Sequence, residues 1–174
     1  DSLKETAPAP IRFESWEESK KGYFSPLLNE IVIKSGMSEL QTVKTGIHET
    51  AHSILHSGTN NLKDSATMET EAESIAFIVC CHLGLDTSSY SFPYLATWSS
   101  SKELPELKSS LSTIQKTAHS LIEKLDQAIL KHIREHSIEG PEISRDTRNP
   151  DISLETVHQE PEIPALPDTH RRRR

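Results

Sequence analysis

Three stretches of this chain repeat apolar residues at intervals of three and four, and one short β-branched run precedes them. The first stretch runs from Ser38 to about His56, with Leu40, Val43, Ile47, Ala51, Ile54 and Leu55 on one face. The second runs from about Met68 to Leu83 on Ala72, Ala76, Val79, Cys80 and Leu83, and stops at Gly84, a residue suited to a helix C-cap. The third is long, from about Leu104 to His136, and carries Leu107, Leu111, Ile114, Ala118, Leu121, Ile122, Leu125, Ile129 and Ile133. This period predicts helices. Ile31-Val32-Ile33, bounded by Asn29-Glu30 and by Lys34-Ser35-Gly36, predicts a strand and a turn. Tyr90 to Trp98 predicts a turn leading into a short helix. The expected fold class is therefore α+β, mainly helical, with a small β-sheet and a long C-terminal helix.

Composition sets the domain limits. The 174 residues suit one domain with an appendage. An apolar fraction of 34% against 26% charged residues predicts a core plus a solvated portion. Residues 1–21 are polar around two prolines and are expected to be a linker or the end of a preceding domain. Gly22 to Pro26 is a turn-rich aromatic lead-in. The domain proper is expected over 22–136. Residues 137–174 hold five prolines and little periodicity, which predicts a disordered polar tail. A net charge of −7 argues against a surface built to coat DNA. DNA contact is expected only through other domains or through the Arg171–Arg174 tail. No apolar run reaches the ~20 residues that span a bilayer, so no membrane partner is expected. No signal peptide is visible, and a chain beginning at Asp1 is expected to be a fragment. Cys80 and Cys81 are adjacent in sequence and suit free thiols of a reduced, cytoplasmic protein.

The chemistry-bearing string is His48-Glu49-Thr50-Ala51-His52, inside the first helical stretch and after the strand. Residues four apart share a helix face, so two imidazoles at this spacing can grip one Zn²⁺. Glu49 is placed to act on water as a base rather than as a ligand. A catalytic zinc needs a third protein ligand. Glu69-Thr70-Glu71-Ala72-Glu73 supplies three carboxylates. Glu69 and Glu73 fall on the stripe of Ala72 and Ala76, while Glu71 is expected to point away, towards Ser74. Carboxylates aimed into an apolar core are costly unless paired or bound to metal. Glu69 is thus the expected third ligand, and Glu73 the group that orients a ligand histidine. The alternative is a capping box, Thr70-x-x-Glu73, at a helix start. His56 suits a helix C-cap, and His82 a surface or packing role. His119, His132 and His136 have no spacing that points at a metal. Tyr90 and Tyr94 suit core packing, with an oxyanion-stabilising hydroxyl as the functional alternative.

These motifs carry a resemblance. The stretch Gly22 to Trp98 resembles the zincin-like metallopeptidase domain of ArdC-type antirestriction proteins from conjugative elements and phages. It does so through Gly22-Tyr23-Phe24-Ser25-Pro26, Ile31-Val32-Ile33, and the helix from Thr42 to His52. The acidic helix ending at Leu83-Gly84 and Tyr94 to Trp98 continue the likeness. The pairing of H-E-x-x-H with E-x-x-x-D/E is also similar to the ImmA/IrrE-type metallopeptidases and other gluzincins. The resemblance implies a zinc-dependent peptidase in the bacterial cytoplasm, encoded by a mobile element and acting on a protein or peptide substrate. It implies zinc on His48, His52 and Glu69, with Glu49 as catalytic base and Glu73 in the place of the second acid. Most of the N-terminal DNA-binding domain of the ArdC-type proteins has no counterpart here. The rival expectation is a non-proteolytic, zinc-containing interaction or antirestriction module. Oligomeric state is open.

Overall fold

The computed structural model describes residues 1–58, 63–88, 90 and 95–138. Its elements are α1 (Ser2–Thr6), β1 (Ile11–Glu14), β2 (Gly22–Ser25), β3 (Glu30–Lys34), α2 (Glu39–Leu55), α3 (Ser65–His82), α4 (Leu95–Ser100) and α5 (Leu104–Ile138). The fold is α+β, mainly helical with one small sheet.

The sheet has the order β1-β3-β2. β3 runs parallel to β1, with Ile11 opposite Ile31, and antiparallel to β2, with Gly22 opposite Ile33. A central strand buried on both faces reads as a continuous apolar run, and Ile31, Val32 and Ile33 are all buried. Two segments depart from the sequence-based expectation. Residues 1–21, expected as a linker, contribute α1 and β1, and Ala9 between them is 2% exposed in the core with Ile31 and Ile33. Gly22 to Ser25, expected as a turn-rich lead-in, is the edge strand β2. In both cases pairing to β3, from a distance for β1 and across a four-residue turn for β2, overrides the local Pro and Gly signals.

α2 begins at its N-cap Ser38, whose side chain accepts from the Gln41 N–H, and ends at His56. α3 starts three residues earlier than its apolar stripe implies. Its N-cap is Asp64, which accepts from the Thr67 N–H, so the Thr70-x-x-Glu73 capping box does not form. At its other end Gly84 takes φ 68°, and the Gly84 and Leu85 N–H groups bond back to Cys81 O and Cys80 O. This Schellman arrangement needs a left-handed residue, which glycine adopts without strain.

Ile47 and Ala51 of α2, Ala72, Ile75, Ala76, Val79 and Cys80 of α3, and Ile114, Ala118, Leu121 and Leu125 of α5 form the main core. α5 is longer than this core, so Leu111 and Ile133, expected inside, are 62% and 56% exposed. α1 packs on α5, and Glu5 pairs with Lys131 and His132. No described helix is long and apolar enough to cross a membrane. The expected disordered tail falls, from residue 139 on, outside the described residues.

Candidate metal centre

α2 and α3 pack side by side in opposite directions, as the pairing of Glu69 with His52 and of Glu73 with His48 requires. Four residues on α2 and on α3 amount to about one turn each, so one turn of α2 faces one turn of α3. This stacks His48, His52, Glu69 and Glu73 in one small volume.

The distances are specific. His48 Nε2 and His52 Nε2 lie 3.1 Å apart. Glu69 Oε2 lies 3.6 Å from His48 Nε2, and Glu69 Oε1 lies 3.4 Å from His52 Nε2. Ligands on a tetrahedral zinc, with bonds of about 2.0–2.1 Å, are separated by about 3.3 Å. The three side chains thus have the spacing and the donor types of a metal site, and His48, His52 and Glu69 can bind a metal ion. Two nitrogens and one carboxylate oxygen leave room for a fourth, non-protein ligand.

Glu73 Oε2 lies 3.1 Å from His48 Nδ1. A carboxylate there holds the proton on Nδ1 and leaves the Nε2 lone pair facing His52 and Glu69. Burial alone would lower the His48 imidazole. The hydrogen bonds to Glu69 and Glu73 and the charge of Glu49 outweigh it and raise the metal-free group to about 10. Glu69 is held well below the usual carboxylate range by His48 and His52. Without a metal the acids hold a proton on the imidazole, so a cation is what this cluster is charged to receive.

Glu49 is 7% exposed, and burial raises its carboxyl against the lowering pull of His48 and His52. Gly22 of β2 presses on it. A Cβ at Gly22 would stand 2.7 Å from Thr45 Cγ2, 3.0 Å from Val32 O and 3.3 Å from Glu49 Cγ. Two cavities border this pair of elements. One, of about 600 Å³, is lined by Tyr23, Phe24, His48, Glu49, His52 and Glu69 among others. The other, of about 390 Å³, is lined by Lys21, Gln41, Lys44, His48, Glu49 and Tyr90 among others.

The acidic stretch sorts differently from the sequence-based expectation. Glu69 is not aimed into the core; its side chain is 54% exposed beside His48 and His52. The carboxylate in the core is Glu71, expected to point away, which is fully buried with both oxygens 2.7 and 2.8 Å from Lys63 Nζ. α3 has a two-residue-wide buried stripe, and Glu71 shares it with Ile75 and Val79.

The remaining candidates fall into place around the cluster. His56 is the C-cap of α2 and also lines the larger cavity, and burial lowers its imidazole. His82 meets Asp126 of α5 at 3.0 Å. His119 faces Glu123, and His132 faces Glu5, away from the cluster. Tyr90 packs edge-on to Phe77 and lies 3.5 Å from Cys80 Sγ, and burial holds its hydroxyl far above the usual range. Tyr94 lies outside the described residues. Both cysteines are free, Cys80 buried and Cys81 exposed. The sequence-based expectation omits Lys44 and the 19–21 segment, which also wall the site. A lysine inside a helical apolar pattern is the signal that could have marked the first.

An uncharacterized protein of Bacillus anthracis, pXO2-81, is 36% identical to this chain over 108 residues. The match covers 61% of this chain and 18% of that protein, so the chain spans less than a fifth of its relative's length. No family model matches the chain. No solved structure matches it.

Proposed function

We propose that this chain is a zinc-dependent peptidase of the gluzincin type, of the zincin-like group found on bacterial mobile elements. The observation that carries the reading is the joint placement of His48 Nε2, His52 Nε2 and Glu69 within 3.1–3.6 Å of one another, with the Glu49 carboxylate buried beside them. His48, His52 and Glu69 would hold the ion, and Glu73 would fix the His48 ring. When bound, zinc acidifies water and polarises a carbonyl oxygen. Glu49 takes the proton from the attacking water and returns it to the leaving amine nitrogen. Its raised affinity for protons suits both halves of that task. β2 borders the larger cavity and pairs with β3 alone among the described residues, which leaves an edge on which an extended peptide can lie.

Metal content by mass spectrometry and hydrolysis of a mixed peptide library test the reading together. Wild type should hold about one zinc per chain, and His48→Ala should hold far less. Glu49→Gln should keep its zinc and lose hydrolysis by about 10²-fold or more. Equal zinc in wild type and His48→Ala removes the site. A Glu49→Gln variant as active as wild type removes the mechanism.

A further inference from the structure

His48, His52 and His56 recur every four residues, so they stand in a row on one face of α2. Successive ring centroids are 4.7 and 5.3 Å apart, which sets the His52 ring between the other two. His56 lies outside the trio whose donor atoms converge. Its place at the C-cap does not account for its ring. The cap uses only the backbone N–H, which donates to His52 O at 2.8 Å. A residue that merely closes a helix can leave its side chain in water, yet His56 is 7% exposed.

The ring is held from α3. It hydrogen-bonds to the backbone of Met68, one residue before Glu69, and it feels the charges of the buried Glu71–Lys63 pair. His52, His56, Met68 and Glu69 all line the larger cavity. His56 thus touches the ring of one candidate ligand and the backbone beside another. That tie falls where the site most needs one. His52 belongs to the last turn of α2, and helix ends fray. Glu69 comes from the second turn of α3, so its 3.4 Å approach to His52 depends on how two helices meet. A metal centre needs its ligands within about 0.5 Å of their working places.

We infer that His56 is a positioning residue of the metal centre, which sets the separation of His52 and Glu69 by packing on the His52 ring and holding the Met68 backbone. The inference rests on the metal site and needs no hydrolysis. Glu73 acts on the His48 end of the row, and His56 acts on the His52 end.

The test titrates the full chain with Zn²⁺ against a chelator, and separately with Co²⁺, whose visible absorption follows ligand geometry. His56→Leu keeps bulk and loses the hydrogen bond. Its zinc affinity should fall about 10–100-fold and its cobalt absorption should shift. His56→Asn keeps a polar group able to bond a carbonyl. It should lose less, a few-fold, and serves where His56→Leu fails to fold. Leu125→Val is the structural control, a core change next to Asp126, which meets His82 at the far end of α3. It should lower the melting temperature and leave both metal readouts as in wild type. Unchanged zinc affinity and cobalt absorption in both His56 variants, or changes no larger than those of Leu125→Val, overturn the inference and leave the metal site standing. A wild type that binds neither ion overturns the metal site and the inference with it. A wild type that binds zinc, loses affinity through His56→Leu and cuts no peptide supports the inference and removes the peptidase reading alone.

Discussion

Glu71 and Glu73 are two residues apart on α3, yet one faces a lysine inside the core and the other faces the His48 ring. Glu73→Gln keeps the shape and loses the charge that orients His48. It should weaken metal affinity by about 10–100-fold with the melting temperature little changed, as read by competition with a chelator. Lys63→Met should be worse for stability than for metal binding. It leaves the fully buried Glu71 carboxylate without its cation, at a cost of about 3 kcal/mol in urea unfolding. The double variant Lys63→Met/Glu71→Met should recover most of that loss, because an apolar pair of similar size replaces the ions. The pairing of His48 with His52 was legible in the sequence because their spacing is local and helical; Glu69, on the next helix, was reached through the E-x-x-x-D/E resemblance, since it does not point into the core as its stripe implied. The burial of Glu71 was not legible. Periodicity says which residues share a face, but a carboxylate on a buried face becomes tolerable only through a partner, and Lys63 lies eight residues back, before the helix begins.

At the scale of elements, the close approach of β2 to α2 depends on the missing side chain at Gly22. Gly22→Ala drives a methyl into Thr45 and the Val32 carbonyl, which are a helix side chain and strand backbone with little freedom to move. It should cost about 1–3 kcal/mol in urea unfolding and should depress any activity further, since Glu49 is the third atom group in the way. The start of α3 answers to pH instead. Asp64 is held well below the usual carboxylate range by its hydrogen bonds from Lys102 and from Thr67, whose hydroxyl also accepts from Trp98 Nε1 at 2.9 Å. A group with a depressed folded value adds stability above its unfolded value of about 3.9 and loses it as pH falls below that. The urea midpoint of wild type should therefore fall more steeply below pH 4 than that of Asp64→Asn. Asp64-Ser65 is a legible helix start, but an apolar stripe that begins later draws attention past it. β2 was hidden for a different reason. A four-residue strand between Gly22 and Pro26 exists only because β3 pairs with it, and pairing across a turn leaves little local trace.

At the scale of the molecule, the first 21 residues belong to the body of the fold. β1 closes one side of the sheet, Leu3 packs against the main core, and Ser19, Lys20 and Lys21 wall the two cavities. A chain beginning at Gly22 should lose cooperative thermal unfolding by circular dichroism, where a true linker would be shed without effect. Polar composition and two prolines concealed this, because β1 is exposed along most of its length and Ala9 alone marks the burial. The main core was plainer, since α2, α3 and α5 each announce a stripe. The ends of α5 escaped for the same reason: the stripe continues past the surface it covers.

The adjacent cysteines have opposite fates. Cys81 is open to reagents, while Cys80 is buried against Tyr90, where burial also raises its thiol and slows attack. A thiol-specific dye should therefore attach once, quickly, at Cys81, and a second time only when α3 parts from its neighbours. The delay between the two labels is a built-in clock for the breathing of the helix that carries Glu69.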